Sequence, residues 1–210
     1  MSQSDFGGYF HRRAKRFSSF YRSEPVSRLL GRGPIFDRLR IALDQVEQLG
    51  AKSVLDVGCG SGPLFAPLAQ KGVHVTGLDP APAMVQLARS EAARFPGLVE
   101  VSERGWEDID EQDTYDAAVA LGVFDYVDRP SDLLERMGRA ADHVIGSFPA
   151  PGLRLELRKI RYGARGVGVH PYPASGFEGL ARDAKLRLGA LLPLGAAGHV
   201  AVFHRLDGTS

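Results

Sequence analysis

Val54-Leu55-Asp56-Val57-Gly58-Cys59-Gly60-Ser61-Gly62-Pro63 decides how this 210-residue chain is read. An apolar run with β-branched residues ends in three glycines at alternate positions, and Pro63 then opens a helical pattern. Such a run predicts a buried strand, and the glycines let the backbone turn tightly and approach a ligand. A helix predicted over 63–70 would present its free N–H groups to that ligand. A polar or anionic group is the expected occupant. In a dinucleotide fold the third glycine falls three residues after the second, whereas here the glycines stand at 58, 60 and 62 with an acid at 56, which disfavours a nicotinamide cofactor. Asp79 closes the next apolar run, 21 residues after Gly58, where a carboxylate can accept from both hydroxyls of a ribose.

Outward from this segment, short apolar runs alternate with helical ones. Strands are predicted at 53–57, 73–78, 98–102, 117–121 and 143–147, with helices at 63–70, 82–94 and 130–140 between them. That alternation predicts a parallel sheet covered on both faces. Two further runs, 186–192 and 199–205, are joined by a short Gly195-to-Gly198 turn and read as an antiparallel hairpin. Upstream, Gly33-Pro34 opens a helix with apolar Phe36, Leu39, Leu43 and Val46, and Gly50 supplies its stop. The first 50 residues are expected to form a helical arm. Residues 51–210 are expected to form the main domain, with a lid at about 150–175.

Composition is that of an ordinary globular protein, 44% hydrophobic and 24% charged, which excludes fibrous and disordered classes. The single Cys59 allows neither an internal disulfide nor a thiolate metal cluster, and no metal is expected. With no membrane span or export signal in view, a cytoplasmic location is the expectation. The net charge of +1 is unevenly spread. Residues 1–40 carry nine Lys/Arg against three Asp/Glu, residues 41–150 eight against eighteen, and residues 151–210 nine against four. Arg12, Arg13, Lys15 and Arg16, with Arg154, Arg158, Lys159, Arg161 and Arg165, either attract an anionic acceptor or neutralise the acidic middle. Nucleic acid is disfavoured by the absence of a recognition module and by the near-zero total charge.

At the glycine loop, and again at Gly77-Leu78-Asp79-Pro80-Ala81-Pro82-Ala83-Met84-Val85-Gln86-Leu87-Ala88-Arg89, the chain resembles the class I, Rossmann-like S-adenosylmethionine-dependent methyltransferases of small molecules. The resemblance is close over residues 51–148. It implies a three-layer α/β sandwich whose seven-stranded, mostly parallel sheet ends in an antiparallel hairpin. It also implies S-adenosylmethionine as cofactor and a small-molecule acceptor, most often methylated on oxygen. By the same resemblance Asp56 and the Gly58, Cys59, Gly60 and Gly62 loop face the methionine part, Asp79 the ribose and Met84 the adenine. Leu121 ends the strand whose tip meets the cofactor's amino group. The acid that family members carry after the third strand is replaced by Gly105, so Glu107 and Trp106 are the candidates for the adenine edge and wall. The competing readings are a nicotinamide oxidoreductase and a cofactor-binding regulator without transfer activity.

Methyl transfer demands alignment of an acceptor lone pair with the methyl group, and a base only when the acceptor is a weak acid. Asp125 and Tyr126, past the fourth strand, are expected at the site's mouth. Related enzymes often have His where Tyr126 stands, and a phenol titrating near ~10 is a poor substitute, which leaves Tyr126 to orient the acceptor or to wall the pocket. His170, on the expected lid, is the leading base candidate because imidazole titrates near working pH.

Overall fold

The computed structural model describes residues 33–206 except 111, 113, 154, 157, 158, 160–162 and 164–167. Its elements are α1 (Gly33–Gln48), β1 (Ser53–Val57), α2 (Phe65–Ala69), β2 (His74–Leu78), α3 (Pro82–Ala92), β3 (Val99–Ser102), β4 (Tyr115–Ala120), α4 (Pro130–Ala140), β5 (Ala141–Phe148), α5 (Phe177–Asp183), β6 (Leu186–Pro193) and β7 (His199–Arg205). One seven-stranded sheet runs in the order β3-β2-β1-β4-β5-β7-β6. The first five strands are mutually parallel, and β7 inserts antiparallel between β5 and β6. This is the expected mostly parallel sheet with a terminal hairpin.

Strand alternation divides the core in two. Leu55 and Val57 of β1 and Ala118 and Ala120 of β4 face the cluster holding Leu133, Leu134 and Met137 of α4 and Phe177 of α5. Val54, Ala117 and Val119 face the opposite cluster, which holds Ala42 and Val46 of α1, Phe65 and Leu68 of α2 and Ala88 of α3. Helices therefore cover both faces, giving the three-layer sandwich. Burial on both sides explains why the parallel strands read as nearly continuous apolar runs.

Residues 33–48 of the expected arm form α1, packed on the sheet. The helix stops where foreseen. Gly50 has a positive φ of 67°, and Ala51 N–H returns to the Val46 carbonyl at 3.2 Å. At the opposite edge of the β1–β4 pair, Asp116 Oδ2 accepts from the N–H of Lys52 (2.6 Å) and Ser53 (2.9 Å), while Ser53 Oγ accepts from Asp116 N–H at 2.9 Å. These bonds fix the register of the two central strands. Because β1 pairs with β2 on one side and β4 on the other, the chain reverses direction across the sheet there. A crevice is left beyond the carboxyl ends of β1 and β4.

Candidate active site

Three glycines with positive φ build the turn after β1, and each has its own surroundings. At Gly58 a Cβ would collide with the Val123 side chain, and at Gly62 with the Phe65 ring. At Gly60 a Cβ would meet nothing within 4 Å, although its φ of 58° still disfavours any side chain. The backbone at Gly60 thus borders open space. The expected helix over 63–70 is shorter than its pattern suggested. α2 starts only at Phe65, after a turn in which Phe65 N–H bonds the Gly62 carbonyl at 3.1 Å, and runs five residues. So short a helix contributes little dipole, and the turn's own N–H groups and carboxylates dominate the site.

Two buried carboxylates flank the turn. Asp79, 7% exposed, accepts Gly60 N–H on Oδ2 and Ala81 N–H on Oδ1, both at 2.9 Å. Burial raises its pKa, and these two bonds oppose the rise. A carboxylate offers about four acceptor positions, so two remain for a ligand. Asp56, 2% exposed, leaves Oδ2 buried without a hydrogen-bond partner. Burial, and then the nearby Asp79, push its carboxyl up to about 8. An orphaned acceptor in an anionic pocket is suited to a cationic donor. The Cys59 side chain turns away from the open space, with its Sγ 3.0 Å from the position of a Cβ on Gly77 and its N–H bound to the Leu78 carbonyl at 2.9 Å. Burial and the two aspartates hold its thiol protonated, so Cys59 contributes packing to the turn.

The tip of β4 abuts this cradle through Val123. Leu121 is half-buried against the α1 side of the core, and Gly122 N–H bonds Ser147 Oγ at 2.8 Å. Over Gly122 lies Arg38 of α1, whose Nη1 would stand 2.8 Å from a Cβ placed there. Its guanidinium has no carboxylate partner among the described residues. Sequence reasoning missed Arg38, because it precedes the glycine turn by twenty residues on a helix that reads simply as amphipathic.

Phe124–Tyr126 form a single 3-10 turn in which Phe124 and Asp125 are buried and Tyr126 half-buried. Residues 170–172 return onto this turn. His170 N–H donates to the Asp125 carbonyl at 2.9 Å, Tyr172 N–H to the Pro149 carbonyl at 2.8 Å, and Tyr172 Oη–H to the Phe124 carbonyl at 3.0 Å. Burial pushes the Tyr172 phenol up, with Asp125 and Asp128 adding to the effect, so this hydroxyl serves as a structural donor. Asp125, Tyr126 and His170 are thus brought together beside the cradle.

Met84 lies in the first turn of α3, and Trp106 and Glu107 in a 3-10 turn after β3. Met84 is buried with Ala81, Ala83 and Leu87. Trp106 packs against the α4-side core and, with Glu107, lines a cavity of about 270 Å³ whose other wall includes Arg129, Arg136 and Arg139. Asp108 Oδ2 accepts Gly105 N–H at 3.0 Å, and the Glu107 carbonyl accepts from Arg136 at 2.9 Å. Burial raises the Glu107 carboxyl's pKa. Of the basic residues singled out in the sequence, only Lys159 falls among the described residues, and it pairs with Glu156 at 2.8 Å. No group of three or more metal-ligating side chains occurs among the described residues, and no described helix is long and apolar enough to cross a membrane.

Residues 54–143 match the family model of the methyltransferase domain. A ubiquinone biosynthesis O-methyltransferase of Methylobacterium nodulans is 37% identical over 112 residues, which are 52% of this chain and 44% of that protein. Its counterpart in Alkalilimnicola ehrlichii is 32% identical over 123 residues, 54% of this chain and 50% of that protein. The chain therefore spans about half the length of these curated relatives. Among solved structures, magnesium protoporphyrin IX methyltransferase from Synechocystis with bound SAH superposes with a TM-score of 0.79. It is 19% identical and covers 98% of this chain and 100% of its own. An O-methyltransferase from neocarzinostatin biosynthesis, in complex with SAH and 1,4-dihydroxy-2-naphthoic acid, gives 0.63 at 20% identity over 84% of this chain and 60% of its own. Residues 54–143 thus match a methyltransferase domain model, and the sheet around them shares the fold of these solved methyltransferase structures.

Proposed function

We propose that this chain binds S-adenosylmethionine in the Gly58–Gly62 cradle and transfers its methyl group to a hydroxyl of a small-molecule acceptor. The observation that carries the reading is the pair of buried carboxylates, Asp56 and Asp79, flanking a glycine turn whose middle residue borders open space. The cofactor fits this donor set group by group. Its ammonium would satisfy the orphaned Asp56 Oδ2, its ribose hydroxyls the remaining acceptor positions of Asp79, and its carboxylate the Arg38 guanidinium. Met84 is assigned to the adenine. When bound, the cofactor supplies an electrophilic methyl carried by a sulfonium.

The chain's own work is positioning. Residues 170–172, held on Phe124–Tyr126, wall the acceptor side and restrict water, and Tyr126 orients the acceptor while His170 takes its proton. Hydroxyl acceptors are supported by the O-methyltransferase relatives. Calorimetric titration with S-adenosylmethionine, S-adenosylhomocysteine and NADH tests the reading. Micromolar binding of the first two with no NADH heat is expected, and NADH binding alone would overturn it. Turnover of hydroxylated aromatic acceptors then separates a transferase from a regulator that only binds the cofactor.

A further inference from the structure

The imidazole of His170 meets a carboxylate that nothing in the sequence pattern advertises. Asp128 Oδ1 stands 3.0 Å from His170 Nε2. Nε2 is buried and makes no aligned hydrogen bond, and the carboxylate that reaches it among the described residues is that of Asp128. Gly168 closes in on the same atom, and a Cβ there would lie 3.4 Å from Nε2. Nδ1 carries no hydrogen bond from any described residue. The two halves of the pair sit on different segments, the turn after β4 and the segment from Gly168 to Tyr172, and the backbone bond from His170 N–H to the Asp125 carbonyl locks those segments together. Asp128 keeps its carboxylate hydrated, being 71% exposed, while the ring is 37% exposed.

We propose that Asp128 is a positioning residue for His170: it holds the proton on Nε2 and so leaves the Nδ1 lone pair to accept the hydroxyl proton of the methyl acceptor. This rests on the methyl-transfer reading above. In neutral imidazole one nitrogen donates and the other accepts, and the partner of the first decides which. A carboxylate beside Nε2 assigns it the proton. In the step itself the acceptor's O–H bond breaks, the electron pair stays on oxygen, and the proton joins Nδ1. The resulting imidazolium is stabilised by the Asp128 charge. Other groups nearby are poor candidates for the base. Tyr172 donates to a carbonyl and is held protonated, and Asp125 is buried in the turn. The off-axis Nε2 contact is of the kind that tightens when substrate binds.

The test combines a spectroscopic and a kinetic arm on Asp128→Ala, Asp128→Glu, His170→Gln and the Asp128→Ala/His170→Gln double variant, with melting temperatures confirming folding. Long-range 1H–15N spectra of the imidazoles at pH 8, assigned by the signal lost in His170→Gln, should show only the Nε2–H form in the unmodified protein. Asp128→Ala should bring in the Nδ1–H form, and Asp128→Glu should suppress it again. With S-adenosylmethionine and 1,4-dihydroxy-2-naphthoic or 3,4-dihydroxybenzoic acid, Asp128→Ala should lower kcat about tenfold with the acceptor KM unchanged. His170→Gln should lower it about a hundredfold, within the range general-base catalysis contributes. The double variant should be no slower than His170→Gln. An unchanged tautomer in Asp128→Ala, or losses that multiply in the double variant, would overturn the proposal. If calorimetry shows no cofactor binding, the methyl-transfer reading fails by itself, and the tautomer arm still decides whether Asp128 sets the ring.

Discussion

Arg38 of α1 lays its guanidinium across Gly122 at the tip of β4, close enough that a Cβ on Gly122 would stand 2.8 Å from Nη1. A cation without a carboxylate partner among the described residues is thus held beside the glycine cradle by a helix that is otherwise part of the core. Arg38→Met keeps the apolar stem and removes the charge. It should weaken S-adenosylmethionine binding about tenfold, a single partly solvated charge-assisted contact. 5′-Methylthioadenosine, which lacks the carboxylate, should bind both proteins equally in the same calorimeter, and a parallel loss for both ligands would remove Arg38 from the carboxylate.

Asp79→Ala removes an acceptor for the ribose and also the tether from Gly60 and Ala81 N–H. Affinity should fall roughly ten- to a hundredfold, from ~1.5–3 kcal/mol of lost charge-assisted bonding. Asp79 is raised by burial, so the apo protein should keep or nearly keep its melting temperature. Unchanged affinity would show that the carboxylate does not face the ligand.

The cradle glycines should separate by mechanism. Gly60→Ala meets no neighbour, so its cost to folding is confined to the positive φ, about 1 kcal/mol. Its new methyl nevertheless enters the open space, and cofactor binding should drop by more than tenfold. Gly62→Ala runs into the Phe65 ring and should lower the unfolding midpoint before any ligand is added. Denaturant titration beside calorimetry distinguishes the two, and normal binding by Gly60→Val would place the ligand elsewhere.

Asp56, pushed up to about 8 from an unfolded value of 3.8, makes the apo fold pH-sensitive in a defined direction. Between these values the folded state binds a proton that the unfolded chain has lost. Stability therefore falls as pH rises from about 4 to 8 and levels off above. Asp56→Asn should flatten that slope in melting curves. Binding of an ammonium group on Asp56 at pH 7 should expel the proton, seen as a binding heat that varies with the ionisation heat of the buffer.

Asp116 acts in the opposite sense. Hydrogen bonds from Lys52 and Ser53 N–H lower its pKa, so its contribution is present at neutral pH and disappears as pH falls below about 4. Because Asp116 is partly in water, Asp116→Ala should cost only about 1 kcal/mol in urea at pH 7. No difference between the proteins at pH 7 would show that the strand register is fixed by apolar packing alone.

What the sequence disclosed followed the range over which its signals act. Strands buried on both faces are continuous apolar runs, and the glycine turn and Asp79 lie within 21 residues along one strand-turn-helix-strand unit, so both were legible. α2 was read too long because Pro63 and the apolar residues after it imitate a helix start that Gly62 delays. Arg38 and Asp128 were missed for another reason. Their partners, Gly122 and His170, are 84 and 42 residues away, and only the packing of α1 and the return of residues 168–172 onto the turn after β4 unite them. A local pattern carries no trace of such pairings.

The strand farthest along the sequence is an interior one, and that orders the chain's assembly. β5 has one edge covered by β4 and the other by β7, while β6, made earlier than β7, pairs only with it. During synthesis the β5 edge stays bare, and β6 has no place in the sheet, until residues 199–205 leave the ribosome. A nascent chain stalled before them exposes an unpaired, largely apolar strand edge, the kind of surface that invites aggregation and chaperone binding.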